Sequence, residues 1–478
     1  MADQTTTTLT AALDEAPISR FHLKAIVTSG MGFFTDAYDL FIIGTVTALI
    51  TSQWNLSTTE TGLVNSMTLL GAFIGAIVYG RVADRVGRKK IYGLEALIML
   101  VFSLASGFAP NVVWLIVFRF CLGLGIGGDY PVSAVLMSEY SNRKNRGKLV
   151  GLVFSMQALG TVVGYVVALT LLSSGMSSGY VWRIILALGA IPSAMVLYSR
   201  RRMPESPRFL ARVQGKTEEA AKSLATYSDG TVAINPQATT GERQRLTFRE
   251  FISNRRFLIS LIGTAGTWFV FDYAYYGNSV SAPLIVKGVL GAGATIEQSL
   301  AFNLMVFALA AVPGYFLAAN FMDRIGHRKL QLIGFPLMGL MFLLIGVIPG
   351  ITAAVAPFLV LFGISYFFAE FGPNTTTFVL AAECYPTSAR TTGHGISAGV
   401  AKLGAFIGVY LFPHISAAFG IGGALEFSAG MALLGTLLTL LIPETAQRGL
   451  EEISDEDRVV AEAERIVSRM PVSPGATT

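Results

Sequence analysis

Apolar runs of about 20 residues, the length that crosses a bilayer as a helix, recur about a dozen times along this chain. They lie at 22–50, 61–82, 91–109, 112–138, 148–171, 180–199, 257–286, 298–322, 330–349, 354–383, 391–415 and 424–443. No other feature restricts the fold as strongly. Backbone inside hydrocarbon must satisfy its own hydrogen bonds, so lipid-crossing runs of this length are helices. Composition agrees. The chain is 53% hydrophobic and 14% charged, where soluble domains carry roughly 25% charge. Its 50 glycines suit packed transmembrane helices, whose small residues let backbones approach closely. The sequence therefore predicts an all-α membrane protein with twelve transmembrane helices.

Net charge is +5, but the basic residues fall in short loops between apolar runs, which suits a membrane surface better than nucleic acid. Arg81, Arg85, Arg88, Lys89 and Lys90 lie between segments 2 and 3. Arg143, Lys144, Arg146 and Lys148 lie between segments 4 and 5, and Arg324, Arg328 and Lys329 between 8 and 9. The opposite loops carry one basic residue, Lys287. By the positive-inside rule, both termini and the central loop face the cytoplasm, and a plasma (cell inner) membrane is expected. The first 17 residues are polar and acidic, without the basic start of a signal peptide. Cys121 and Cys384 sit in or beside apolar runs, and their spacing implies neither a metal site nor a disulfide framework.

The two halves repeat one another. GRVADRVGRKK at 80–90 is echoed by ANFMDRIGHRK at 319–329, an offset of 239 residues. PESPR at 204 is echoed by PETAQ at 443 at the same offset. Glu139 followed by Arg146 is echoed by Glu383 followed by Arg390. A duplicated six-helix unit explains all three and places a binding site between the halves near the bilayer midplane. The expected organisation is a tail at 1–21, a first bundle at 22–199, a linker at 200–256, a second bundle at 257–443 and a tail at 444–478.

Charged residues inside apolar runs mark the site. GFFTDAYDLF at 32–41 holds Asp36 and Asp39. An ionised carboxylate at that depth costs roughly 3 kcal/mol or more, so such acids point to an ion or proton path. Trp268, Asp272 and Tyr276 are spaced i, i+4, i+8 and share one helix face. That face offers an indole donor, a carboxylate acceptor and a phenol that does either. Tyr130 and Gln157 add polar groups from segments 4 and 5. Asn374 follows Gly372-Pro373, a pair that should break segment 10 and let backbone line a cavity. Lys402, in GISAGVAKLGAFIG, supplies a buried cation.

The loop Gly80-Arg81-Val82-Ala83-Asp84-Arg85-Val86-Gly87-Arg88-Lys89 resembles the cytoplasmic signature of the major facilitator superfamily. Within that superfamily the chain resembles the phosphate:proton symporter family. The resemblance rests on GFFTDAYDLF, GLGIGGDYPVSAVLMSEY at 123–140, TWFVFDYAYYG in segment 7 and FGPNTTTFVLAAECYPTSAR in segment 10. PESPRFL and PET are shared with sugar porters and do not discriminate. The resemblance covers nearly the whole chain and implies two pseudo-symmetric six-helix bundles. It further implies that Tyr130, Gln157, Trp268, Asp272, Tyr276 and Asn374 contact phosphate. Asp36, Asp39 and Asp129 would couple protons, and Lys402 would balance carboxylate charge. Gly80, Asp84, Arg85, Gly87 and Arg88 would form a cytoplasmic gate.

Plainer roles stay open for these positions. Trp268 and Tyr276 also suit packing or interfacial anchoring. Gln157 suits a helix–helix hydrogen bond, Asn374 a helix cap, and Asp129, between Gly128 and Pro131, a kink. Glu95 is either a proton exit group or an interfacial acid. Glu139 and Glu383 are expected to pair with loop arginines, and His394 to be structural. Nothing resembles a P-loop, a zinc triad or a nucleophile–base pair, so no enzyme, metal or cofactor is expected. The expected function is import of inorganic phosphate, as dihydrogen phosphate, with protons by alternating access. The alternatives are a symporter for another small anion or organic metabolite, and a phosphate sensor on a transporter fold.

Overall fold

The computed structural model describes residues 9–232, 246–291, 293–456 and 458. Three parts of the expected organisation lie outside the described residues: 1–8, 233–245 and the tail beyond 458. The side chain of Lys287 does so too.

Among the described residues, eleven helices are long and apolar enough to cross a membrane. The sequence predicts twelve segments, and one element accounts for the difference. Helix Arg390–Thr439 runs for 50 residues through both of the last two expected segments. It is not one rod, because Gly420 inside it stands at φ 71°, ψ 175°. That backbone region favours glycine and ends the regular helical path. The short FGIGG stretch is therefore a kink and not a loop. Counted across it, the spans are α1 Arg20–Trp54, α2 Thr58–Val86, α3 Arg88–Gly107, α4 Val112–Tyr140, α5 Arg146–Ser173 and α6 Ser178–Arg202. The rest are α7 Arg255–Val280, α8 Ile296–Ile325, α9 His327–Val347, α10 Val355–Glu383, α11 (390–419) and α12 (421–439).

Two differences from the expected boundaries bear on the site and its surroundings. The sixth span continues past 199 to Arg202, and Arg200 is buried inside it. The seventh stops at Val280 with a turn at Ser281, and the residues beyond form a separate helix, Ala282–Leu290. Because consecutive spans alternate in direction, the arginine-rich loops share one end of the molecule, here called the basic end. The other is the neutral end.

Small residues set the packing. A Cβ on Gly71 or Gly75 of α2 would collide with the Phe120 or Leu124 carbonyl of α4, and one on Gly123 or Gly127 with the Thr68 or Ala72 carbonyl in return. Two interleaved small-xxx-small pairs thus seat α2 against α4 at backbone contact. Gly404 and Gly408 of α11 do the same against Phe269 and Tyr273 of α7.

The expected break in α10 is present. Gly372 stands at φ −116°, ψ −107°, outside helical geometry, and Pro373 donates no backbone hydrogen bond. Three consecutive threonine hydroxyls compensate. Thr375 donates to the Glu370 carbonyl at 2.8 Å, Thr376 to Gly372 at 2.9 Å and Thr377 to Pro373 at 2.8 Å. Side-chain donors of this kind let a broken helix persist in an apolar setting.

Candidate functional site

Polar side chains from both halves meet at mid-length of the spans. From the first half, Tyr130 Oη on α4 donates to Asp36 Oδ2 on α1 at 2.5 Å. Gln157 Nε2 on α5 donates to the same oxygen and to Tyr130 Oη, each at 2.9 Å. From the second half, Lys402 Nζ on α11 donates to Asp272 Oδ2 on α7 at 3.0 Å and to Tyr276 Oη at 3.1 Å. The ammonium also sits 4.5 Å from the Tyr130 ring centre and 4.3 Å from that of Tyr276. It therefore touches residues of both halves, and each aromatic face attracts the cation. Tyr315 Oη on α8 donates to Gln157 Oε1 at 3.1 Å, and Asn374 Nδ2 on α10 donates to Tyr315 Oη at 2.7 Å. Every one of these side chains is buried.

Aromatic rings flank this polar cluster, here called the chamber, on both sides. Toward the neutral end, Phe41 on α1 stacks on Tyr276 and meets Phe307 of α8 edge-on at 5.2 Å. Phe307 in turn contacts Tyr165 of α5 and Tyr366 of α10. Toward the basic end, Phe154 of α5 stacks on Phe378 of α10 with ring centres 4.4 Å apart. Phe33 and Trp268 pack edge-on against Phe378. Both layers draw rings from both halves. His394 joins the second layer at 5.5 Å from Trp268, and neither of its ring nitrogens has a hydrogen-bond partner among the described residues. Beyond the first layer, a cavity of about 270 Å³ lies at the neutral end, between Thr47, Asn65, Val280 and Tyr410 among others.

The three aspartates expected to act together occupy three environments. Asp36 faces the chamber. Asp39, three residues on, turns into the first bundle, where Arg119 lies 3.5 Å away and Ser103 donates to it at 3.2 Å. Asp129 receives Arg200 in a two-pronged pair at 2.7 and 3.0 Å, and Ser133 adds a third donor at 2.6 Å. Glu95 shares the same guanidinium at 3.1 Å. The Trp268, Asp272 and Tyr276 face does converge on the chamber, with Gln157, Tyr130, Asn374 and Lys402.

Sequence reasoning missed Glu370, Tyr315, Arg119 and Arg200. Glu370 and Arg119 carried a usable signal, a charge in the middle of an apolar run. Arg200 did not, because it opens the run Arg200-Arg201-Arg202 and reads as a helix end. Tyr315 sits in ordinary apolar sequence.

At the basic end the repeat becomes a pair of matching latches. Asp84, at the end of α2, accepts from the Thr391 and Thr392 N–H groups that start α11, at 3.3 and 2.6 Å. Asp323, at the end of α8, accepts from Gly147 and Lys148 at the start of α5, at 3.0 and 2.7 Å. Glu139 binds Arg390 across the halves at 2.8 Å and Arg88 at 3.3 Å, and Arg88 also pairs with Asp84 at 3.1 Å. In the second copy Glu383 lies 3.7 Å from Arg146 and 2.9 Å from His327. Each carboxylate at a helix start meets the positive end of a dipole.

Gly80 lets α2 cross α11, since a Cβ there would lie 2.6 Å from the Thr391 carbonyl. Gly87, at φ +104°, turns the chain so that Glu205 accepts from Lys89 N–H at 3.1 Å. Of the five expected gate residues only Arg85 stands apart, exposed to solvent. Below the latches, Arg208 joins the Leu9–Glu15 helix to the Leu450–Ser454 helix through Asp14 at 2.6 Å and Glu451 at 2.9 Å. Burial alone would raise the Glu451 carboxyl, but Arg208, Arg212 and Arg390 overcome it and hold it at about 2.

Comparison with known proteins agrees with the fold. A family model described as sugar (and other) transporter matches residues 24–456. A probable inorganic phosphate transporter 1-6 of Arabidopsis thaliana is 37% identical, covering 98% of this chain and 100% of that protein. The low affinity inorganic phosphate transporter 4 of Petunia hybrida is 36% identical over 97% of both chains. Among solved structures, the proton:xylose symporter XylE of the major facilitator superfamily, bound to a bromodeoxyglucose, superposes with a TM-score of 0.76. It is 21% identical and covers 92% of this chain and 99% of its own. The inward-open form of XylE from E. coli gives 0.66 at 21% identity, covering 91% and 99%.

Proposed function

The chain belongs to the sugar (and other) transporter family, a multi-pass membrane family, and on that premise we propose that it imports inorganic phosphate with protons by alternating access. The observation that carries the reading is the central chamber. One ammonium, three phenols, two amides and two carboxylates from both halves converge there, and aromatic layers seal it on each side. Donors of this number suit an oxyanion. Asp272 suits one that carries its own protons, because an ionised carboxylate can only accept. Dihydrogen phosphate meets both demands.

In the proposed cycle the two six-helix units, 22–199 and 257–443, rock about the chamber. Phosphate enters from the neutral end after the Phe41–Tyr276 layer parts. Tyr130, Gln157, Trp268, Asp272, Tyr276 and Asn374 contact it while Lys402 offsets the added charge. Asp36 takes a proton in the outward-facing state, which removes one like charge from the chamber. Asp39 and Asp129, each beside an arginine in the first bundle, belong to the proton route behind it. Release to the other side requires the latches at Asp84, Arg88, Glu139 and their second copies to separate. The arginine-rich loops orient both termini toward the cytoplasm of a plasma membrane.

Uptake of labelled phosphate by proteoliposomes tests the reading. Uptake should rise with an inward proton gradient and collapse with an uncoupler. Phosphate uptake that is saturable but indifferent to the gradient would refute proton coupling. No phosphate uptake under either condition would refute the substrate.

A further inference from the structure

Glu370 lies on α10 two residues before the break at Gly372, and it is fully buried. Its Oε2 accepts from Asn374 Nδ2 at 2.6 Å, and its Oε1 is buried with no hydrogen-bond partner among the described residues. The groups acting on it are Tyr275 and Asp272 from α7, Tyr315 from α8 and Asn374 from its own helix. Tyr366, one turn earlier on α10, bonds to Ser279 at 2.7 Å. From α9, Gly334 and the Leu330 carbonyl lie against Gly372. None of these is a cation. On α8, Gly314 makes the room, since a Cβ there would lie 2.8 Å from the Cβ of Glu370.

Other buried acids of the spans differ in this respect. Asp39 has Arg119, Glu95 and Asp129 share Arg200, Glu139 has Arg390, and Asp272 has Lys402. Asp36 and Glu370 are instead hydrogen-bonded by neutral donors, one acid in each half, and the ammonium that also acts on Asp36 is Lys402, already paired with Asp272. A single chain of hydrogen bonds joins them through Gln157, Tyr315 and Asn374, at 2.9, 3.1, 2.7 and 2.6 Å. A carboxylate at this depth without an ion-pair partner of its own is costly, and a proton removes the cost.

We propose that Glu370 is a second proton-carrying acid of the transport cycle, working with Asp36 across the interface, so that each phosphate travels with two protons. The inference rests on the phosphate–proton reading of the chamber. The charges support it. Lys402 offsets Asp272, which leaves Asp36 and Glu370 to repel an incoming monovalent anion. Two protons, one on each, leave phosphate as the only net charge. On Glu370 the proton adds to Oε1, forming an O–H bond while Oε2 keeps its bond from Asn374, so no partner has to move. The proton leaves as the carboxylate re-ionises in water on the opposite side.

The test is accumulation at zero membrane voltage in proteoliposomes under an imposed pH difference. At equilibrium, n protons per monovalent phosphate give a 10-fold gradient per pH unit when n is one and 100-fold when n is two. The parent should reach about 100-fold per pH unit. Glu370→Gln keeps the acceptor for Asn374 but cannot titrate, and it should fall to about 10-fold while retaining phosphate–phosphate exchange without a gradient. Glu370→Asp should restore the steeper dependence, which a packing role alone would not. If Gln does not assemble, Glu370→Asn serves as the second neutral variant. A parent at 10-fold, or a neutral variant that still reaches 100-fold, overturns the proposal. A parent that moves no phosphate at all refutes instead the function on which the proposal rests.

Discussion

Replacing Lys402 with Met deletes the ammonium while keeping most of the stem's volume, so it isolates charge from packing. In the parent that ammonium lies 3.0 Å from Asp272 Oδ2 and 3.1 Å from Tyr276 Oη, with the pair fully buried. Removing one partner of a buried pair typically costs about 3–5 kcal/mol, because the other charge stays behind. A second route gives a similar figure. Asp272 can shed its charge by taking up a proton, and holding an ordinary aspartate protonated at pH 7 costs about 4 kcal/mol. That route also fixes the pH dependence. In the variant, the folded state must carry a neutral Asp272 while the unfolded state ionises it. The penalty therefore exists above the ordinary carboxylate range and shrinks by about 1.4 kcal/mol per unit as pH falls, to roughly 1.5 kcal/mol at pH 5. Denaturant unfolding of the purified protein in detergent, from pH 5 to 8, reads the difference between parent and variant. The double variant Lys402→Met/Asp272→Asn should recover most of the loss and show no such slope. A penalty that stays constant over this range, or one below about 1 kcal/mol at pH 7, would refute the idea that the pair is a compensated buried charge.

Asp36→Asn should fold normally yet fall to about 10-fold proton-driven accumulation per pH unit, whereas Asp129→Asn should lose about 3–5 kcal/mol of stability, because Glu95 would be the one acid left to Arg200. Unfolding and uptake measured on both variants separate the two outcomes. Arsenate, which shares the protonated form of phosphate, should compete with it, while sulfate should be rejected by roughly 10⁴-fold in the favourable case, since it offers Asp272 no donor. Asp272→Asn should narrow that gap in competition assays. Glu451→Gln should destabilise the protein above pH 4.5, the ordinary glutamate value. The difference from the parent should vanish as pH falls toward about 2, where the parent carboxyl protonates. Thermal unfolding of the two across that range checks it.

The helix count, the break at Gly372-Pro373 and the convergence of Trp268, Asp272 and Tyr276 could be read from the chain. Each follows from a local rule: run length, the chemistry of Pro, and the 3.6-residue period. The partners of the acids could not be read. Asp36 and Asp39 are three residues apart and look equivalent in sequence, yet one meets Tyr130 and Gln157 and the other Arg119. Tyr130 and Arg119 both lie on α4, so the difference depends on which level of that neighbouring helix each acid meets, and the periodicity of α1 does not encode it. Arg200 was hidden for another reason. It stands at the head of three arginines at the end of a span, where composition assigns it to the surface. Its guanidinium nevertheless turns inward to two acids. The merged helix through Gly420 shows the converse case, in which a glycine-rich stretch that reads as a loop is a single backbone break.

The two aromatic layers have an electrical consequence. With both layers closed, the chamber is shielded by rings on either side and lies within the membrane field. A unit charge carried through it and across the membrane gains or loses about 2.3 kcal/mol for each 100 mV. Two protons moving with one monovalent phosphate carry a net charge of one. Polarisation of 100 mV, negative inside, would then multiply the attainable phosphate gradient by about 50-fold, with no pH difference at all. The stacked rings that flank the polar cluster would thus also act as the insulator that lets voltage drive the proposed cycle.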